Sequence, residues 1–405
     1  MEVPSSTPDA AQDSQTLTTV GLLAGIVKDP PPSCLDQIEH TLAQPDFDWS
    51  RFLRQASEHG LIPLLYRHLV ARPRLRVPRA VQDALTREFQ HYALSRFPPA
   101  RRLRELLCEL ENAGVDALPY KGPVLAIELY GHYAARHYGD LDILVRPEQL
   151  PAAVELFQAI GLRERKPLPD QWRRVYERNR HHYQWIDPQT GTLIELHWSL
   201  SDRFWGWGRS VEWFFEQAVE VDLLGEPVAS MAPERSFLAL CLHGARGRWE
   251  RLGWLVDLSK LVANQPHLDW ARIFEQAEIR GFRRQLYITL HLLRRELNVS
   301  LPEPWAQQIS GDSTALELAE SISMDLHDDR NEGFGRLGRL RFGWRSGDNV
   351  RARWRFIWAL ATDLSDNDLQ PTRLPAHFDF LRWVRRPFRL ISNSIMEHWR
   401  RRSRV

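Results

Sequence analysis

Cysteine is scarce in this chain of 405 residues: Cys34, Cys108 and Cys241 stand far apart and in no metal-ligand spacing. That excludes a disulfide framework and a zinc knuckle, and it reads as three reduced thiols. Long apolar runs are missing as well. None approaches the roughly 18 residues that cross a bilayer, so no transmembrane helix is expected. Residues 1–19 lack the basic start and apolar stretch of a secretory signal, which makes cytoplasmic the expected location. No repeat of fixed period is visible, and no low-complexity block follows the first residues. Net charge is nearly absent, +1 from 53 basic and 52 acidic residues, yet residues 331–405 hold 16 Arg against 7 Asp plus Glu. The rest of the chain is therefore acidic, and the tail basic.

What is present is the composition of an ordinary globular protein, 43% hydrophobic and 26% charged, with length for two or three domains. Residues 1–32 are rich in Pro, Ser, Thr, Asp and Gln, end in Asp-Pro-Pro-Pro, and are expected to form a flexible leader. Residues 33–114 repeat apolar side chains at three- and four-residue steps (Phe52, Leu53, Ala56, then Leu61, Leu64, Leu65, Leu69), which predicts an N-terminal helical region. In residues 115–210 short apolar runs alternate with helix-length segments. Asp187-Pro188-Gln189-Thr190-Gly191 there separates two strand-like stretches as a hairpin turn does, so this is the expected α/β core. Helical periodicity returns over 211–330, and 331–405 add a basic helical tail rich in Arg and Trp.

The chemistry-bearing segment is Gly139-Asp140-Leu141-Asp142-Ile143-Leu144-Val145. Side chains two apart in a strand share a face, so Asp140 and Asp142 converge, and two carboxylates that close are relieved by a divalent cation such as Mg²⁺. The apolar residues follow the acids, so the strand runs into the core with its acidic start at the rim, and Gly139 allows a close approach. Glu195 and His197 share a face of a second strand, Leu193-Ile194-Glu195-Leu196-His197-Trp198. If the two strands are neighbours, three carboxylates can hold two metals about 3.5–4 Å apart, a pairing suited to phosphoryl chemistry. Upstream, Pro119-Tyr120-Lys121-Gly122-Pro123 opens a helix-like run whose free N–H groups can face a phosphate, with Lys121 in reach of its oxygens.

In order, Leu118-Pro119-Tyr120-Lys121-Gly122, Tyr130, Arg136, the Gly139–Val145 run, His181-His182, and Glu195-Leu196-His197-Trp198 resemble the uncharacterised nucleotidyltransferase family of the DNA-polymerase-beta-like superfamily. The stretch from His243 to Asp257, with Trp249, Leu252 and Trp254, resembles that family's helical part, and the resemblance covers about residues 35–300. It implies an α+β fold, a small mixed β-sheet nucleotidyltransferase core flanked by N- and C-terminal helical regions. It further implies Asp140, Asp142 and Glu195 as metal-binding catalytic carboxylates for Mg²⁺ or Mn²⁺, and a nucleotide-binding turn at Lys121-Gly122. The implied reaction moves an NMP from an NTP to an acceptor and releases pyrophosphate. The acceptor stays open among protein, RNA, sugar and peptide natural product. One departure is that the wider superfamily places Gly-Ser at the helix start and a shorter interval before its Asp pair, whereas here Lys-Gly precedes seventeen intervening residues.

Other readings use the same pattern. A non-catalytic nucleotide-binding sensor or adaptor keeps the pocket without turnover. A metal-dependent glycosyltransferase or a haloacid-dehalogenase-type phosphatase wants an apolar strand before its first Asp, where this chain has Arg136-His137-Tyr138-Gly139. Arg136 either contacts the triphosphate or is solvated. His182 faces the pocket or is structural, and His197 orients Glu195 or touches substrate. His243 and Asp257, fourteen apart, cannot meet on one straight helix and read as capping or packing residues. Trp205 and Trp207 read as packing residues before acceptor contacts. The tail from Leu381-Arg382-Trp383 to Arg400-Arg401-Arg402 suits an anionic membrane surface, RNA, or a solvated helix equally.

Overall fold

A computed structural model describes residues 18–28, 32–71, 75–205, 210–328 and 336–362. The fold is α+β. Five strands, β1 (Ala117–Pro119), β2 (Asp140–Val145), β3 (Arg163–Glu164), β4 (His182–Ile186) and β5 (Leu193–His197), form one sheet in the order β1-β2-β5-β4-β3. β2 and β5 are parallel and the other pairs antiparallel. A separate hairpin joins β6 (Val219–Leu223) to β7 (Glu226–Ser230). The turn between β4 and β5 closes where Pro and Gly interrupt the sequence, with the Gly191 N–H donating to the Asp187 carbonyl at 2.8 Å.

Alternation decides which side chains each face of the sheet carries. Leu141, Ile143 and Val145 of β2, Tyr183 and Trp185 of β4, and Ile194 and Leu196 of β5 enter one core with Leu103, Leu106 and Leu110 of the helix Arg79–Asn112. The opposite face carries Asp140, Asp142, Gln184, Glu195 and His197, because side chains two apart return to the same side. Leu144 and Leu118 on that second face belong to the other core, built mainly by the helices Pro233–Arg246, Leu252–Asn264 and Arg283–Leu297. The polar face is thus the one turned toward the helical part of the chain. Among the described residues no helix is long and apolar enough to cross a membrane.

Three expectations need comment. The leader expected over residues 1–32 contains a helix, Thr19–Val27, capped by the Thr18 side chain on the Gly21 N–H. Its Leu22, Leu23 and Ile26 are buried in the helical core, because Val-Gly-Leu-Leu-Ala-Gly-Ile-Val is apolar enough to repay the ordering of its backbone. Residues 1–17 lie outside the described residues. Trp205 packs on Phe342 and Phe356, with ring centroids 6.3 and 6.0 Å apart, whereas Trp207 falls outside the described residues. Of the tail, the helices Arg336–Arg345 and Val350–Thr362 are described, and the Arg/Trp segment over 381–402 lies outside.

Gly244 lets the helix Pro233–Arg246 press on the fully buried Trp249, since a Cβ at this position would meet the indole Cδ1 at 2.7 Å. Alanine in an exposed helix interior gains about 1 kcal/mol over glycine, but overpacking a filled core costs about 1–3 kcal/mol. Gly244→Ala is therefore expected to lower the melting temperature in a thermal denaturation scan; a raised melting temperature would contradict the packing described.

Candidate metal and phosphate site

The parallel register of β2 on β5 sets Asp142 beside Glu195, and β4 adds Gln184 on the far side of Glu195. Gln184 Nε2 donates to Glu195 Oε1 at 2.8 Å and fixes that carboxylate. His197 Nε2 lies 3.0 Å from Asp142 Oδ1 and 3.3 Å from Glu195 Oε2, bridging the two acids. Lys121 Nζ reaches Asp142 Oδ1 at 2.7 Å. Asp142 is only 2% exposed, and its second oxygen, Oδ2, is buried with no hydrogen-bond partner. Asp142, Glu195 and His197 each bring one donor atom within 4.8 Å of the others, a set able to hold a metal ion. His181, His182 and His197 form a second set of that kind.

Charge explains the protonation pattern. The Asp142 charge, and then burial, push the Asp140 carboxyl from its ordinary 3.8 up to about 6. Burial alone would raise Asp142, but the Lys121 ammonium and the His197 hydrogen bond override it and hold the carboxyl low. Burial also opposes ionisation of Glu195, and the hydrogen bond from His197 with the charges of His182, His197 and Lys121 outweighs it. His197 shows the converse: burial disfavours its charge, while its bonds to Asp142 and Glu195 lift it above the ordinary histidine value. Buried, His182 is pushed down to about 4. Asp142 and Glu195 are thus held ionised and are countered by Lys121 and His197.

Lys121 and Gly122 form the turn between β1 and the helix Gly122–Tyr130. Gly122 has φ of +61°, a left-handed conformation that favours glycine, whereas a Cβ there would stand at ordinary contact distance, 3.5 Å, from the Asp140 carbonyl oxygen. Gly139 is different. Nothing lies within 4 Å of where its Cβ would be, so no protein atom makes the close approach expected of it.

Arg136 is neither solvated nor free: it is buried, and its Nε meets Asp257 Oδ2 at 2.6 Å. Tyr130 donates its hydroxyl to Asp257 Oδ1 at 2.8 Å, so Asp257 ties the sheet-side loop to the helix Leu252–Asn264. His243 comes within 3.3 Å of Lys121 Nζ through Nδ1, and Arg246 Nη2 stands 3.4 Å from the same nitrogen. His181 donates from Nδ1 to Asp202 Oδ1 at 2.6 Å, and its Nε2 contacts Arg246 Nη1. Gln184, Asp202 and Arg246 were not singled out from the sequence. Asp257 carried a signal, a lone acid among the buried Leu255, Val256 and Leu258, and a buried acid in an apolar stretch needs a cation.

A family model described as an uncharacterised nucleotidyltransferase matches residues 45–298, and the chain belongs to that family. No curated protein and no solved structure matches the chain. The matched span encloses all five strands of the sheet and the helix that carries His243 and Arg246.

The raised Asp140 carboxyl has a consequence for stability. Between pH 3.8 and about 6 the folded state binds this proton and the unfolded state does not, so stability from Asp140 falls as pH rises through that window. Asp140→Asn removes a charge that costs the metal-free protein about 1–3 kcal/mol at pH 7.5. Denaturant unfolding in EDTA is expected to show that gain at pH 7.5 and to show it fading toward pH 4; an equal or lower stability at pH 7.5 would contradict the charge crowding.

Proposed function

We propose that the protein transfers a nucleoside monophosphate from an NTP to an acceptor and releases pyrophosphate, with Mg²⁺ or Mn²⁺ held at Asp140, Asp142 and Glu195. The observation that carries the reading is the pairing of Asp142 with Glu195 across parallel strands, with a buried Asp142 oxygen that has no protein donor. A buried acceptor of that kind is costly unless a cation meets it, and two carboxylates beside an imidazole are a donor set that divalent metals accept. Bound there, a divalent cation supplies charge neutralisation and an orienting hold on phosphate oxygens.

The chain's own residues do the rest. Gln184 and His197 hold Glu195 in place, and His197 holds Asp142. Lys121 is the cation best placed to leave its carboxylate for a phosphate oxygen, since its flexible stem ends within the site. In the transfer an acceptor oxygen forms the new bond to the α-phosphorus, the α–β bridging bond breaks, and pyrophosphate leaves while the acceptor loses its proton. Arg136, tied to Asp257, supports the loop before β2 rather than the nucleotide.

A second reading, a nucleotide-binding module without turnover, draws on one observation. Lys121 and His197 already counter Asp142 and Glu195, so the site is charge-balanced by protein groups alone.

The two readings part on pyrophosphate release measured across the four NTPs with Mg²⁺ or Mn²⁺, with a cell lysate as the source of acceptor. Transfer predicts metal-dependent release that falls more than about a hundredfold in Asp140→Ala/Asp142→Ala and in Glu195→Gln, as lost electrostatic stabilisation does in other enzymes. Release that persists in the double variant removes this site from the chemistry, and NTP binding without release favours the module.

A further inference from the structure

Among the described residues, buried arginines come with a carboxylate. Arg136 has Asp257, Arg284 has Asp312 at 2.8 Å, and Arg102, largely covered, has Asp187 at 3.0 Å. Arg246, half-buried at the end of the helix Pro233–Arg246, is different: among the described residues no carboxylate ion-pairs with it. Its guanidinium is set between two imidazoles, with Nη1 on His181 Nε2 and Nη2 by His243 Nδ1, and its Nε is buried with no acceptor. Burial first, and the Arg246 charge next, keep His181 well below its ordinary pKa, and burial with the charges of Lys121 and Arg246 does the same for His243. The neighbours are uncharged, so they orient the guanidinium and leave its charge uncompensated.

That orientation is built. Asp202 accepts from His181 Nδ1, which fixes the ring so that Nε2 presents its lone pair to Arg246. The same His181 nitrogen is 3.0 Å from His182 Nδ1, and His182 Nε2 is 3.5 Å from Glu195 Oε1. Arg246 therefore stands two imidazoles, His181 and His182, away from the Glu195 carboxylate. On its other side His243 Nδ1 lies between Arg246 and Lys121. Two cations flanking one neutral ring, next to a cluster of acids suited to a divalent cation, match the charge layout of a polyphosphate chain: metal-bridged at one end and gripped by N–H donors at the other.

We propose that Arg246, together with Lys121, grips the terminal phosphates of a linear polyphosphate, with Asp202 and His181 as positioning residues that aim the guanidinium. This deepens the nucleotidyl-transfer reading and rests on it for identifying the polyphosphate as the β- and γ-phosphates of an NTP. The grip itself concerns the anion alone. The fork of the guanidinium matters, because it offers two N–H groups to one phosphate where an ammonium offers a point charge.

Inorganic tripolyphosphate, titrated calorimetrically into the full chain in EDTA, is the probe. Wild type is expected to bind it, Arg246→Gln to weaken it at least tenfold, Arg246→Lys to recover part of the loss, and Asp202→Asn to weaken it severalfold while Arg246 is still present. Should Arg246→Gln melt before it can be measured, phenylglyoxal labelling of wild type answers the same question. Arg246, followed by peptide mass analysis, is expected to be labelled in the free protein and protected by tripolyphosphate. No uptake by wild type, wild-type affinity in Arg246→Gln, or labelling unchanged by tripolyphosphate would overturn the proposal. Tripolyphosphate binding with no pyrophosphate release from any NTP would instead sink the transfer reading and leave the grip standing. Pyrophosphate release by Arg246→Gln at the wild-type KM would sink the grip and leave the transfer reading.

Discussion

The parallel pairing of β2 with β5 is the constraint from which the site follows. It places Asp142 beside Glu195 on a face that the helical part of the chain covers, and so brings two carboxylates together where water is scarce. Like charges in that setting must be met by cations or take up protons. Lys121 meets Asp142 from the β1–helix turn, His197 bridges both acids, and Gln184 holds the outer oxygen of Glu195. Asp140, lacking such partners, is the member whose carboxyl is pushed up. One oxygen of Asp142 is still unmet by any protein donor.

The helical part does more than cover the sheet. It ties itself to the loop before β2 through Arg136, Asp257 and Tyr130, a pairing whose charges close on each other. It also presents His243 and Arg246 at the end of a helix whose path depends on Gly244 lying against Trp249. Acids come from the strands, and cationic charge comes from the turn, where Lys121 pairs with Asp142, and from the helix end at Arg246. Under the proposed function that division holds a single polyphosphate from both sides, and the proposed chemistry then depends on packing between the two parts.

The sequence made the sheet's contribution legible and left the helical contribution largely hidden. Asp140 and Asp142 were readable because period-two spacing and a following apolar run fix the face and the direction of β2. Glu195 was readable for the same reason on β5, although the neighbourhood of the two strands was a condition and became a fact only with the fold. Lys121 and Gly122 stood out as a turn before a helix. Residues that reach this region from other elements carried no such signal: Arg246 is one arginine among many, Asp202 one loop acid, and Gln184 an ordinary strand residue until β4 pairs with β5. The burial of Arg136 was hidden, because its partner, Asp257, is remote in sequence and meets it only through tertiary packing. The apolar helix at Thr19–Val27 was masked by the polar residues and prolines around it.

The claim on which the account turns is that Asp142 and Glu195, bridged by His197, hold a divalent cation. Electron paramagnetic resonance of Mn²⁺ titrated into the full chain reads this directly, because the free-ion signal disappears as the ion binds. Wild type is expected to remove about one equivalent of free Mn²⁺ signal in the absence of nucleotide, and Asp142→Asn/Glu195→Gln none beyond background. Equal Mn²⁺ uptake by the two proteins, or none by wild type, would contradict it.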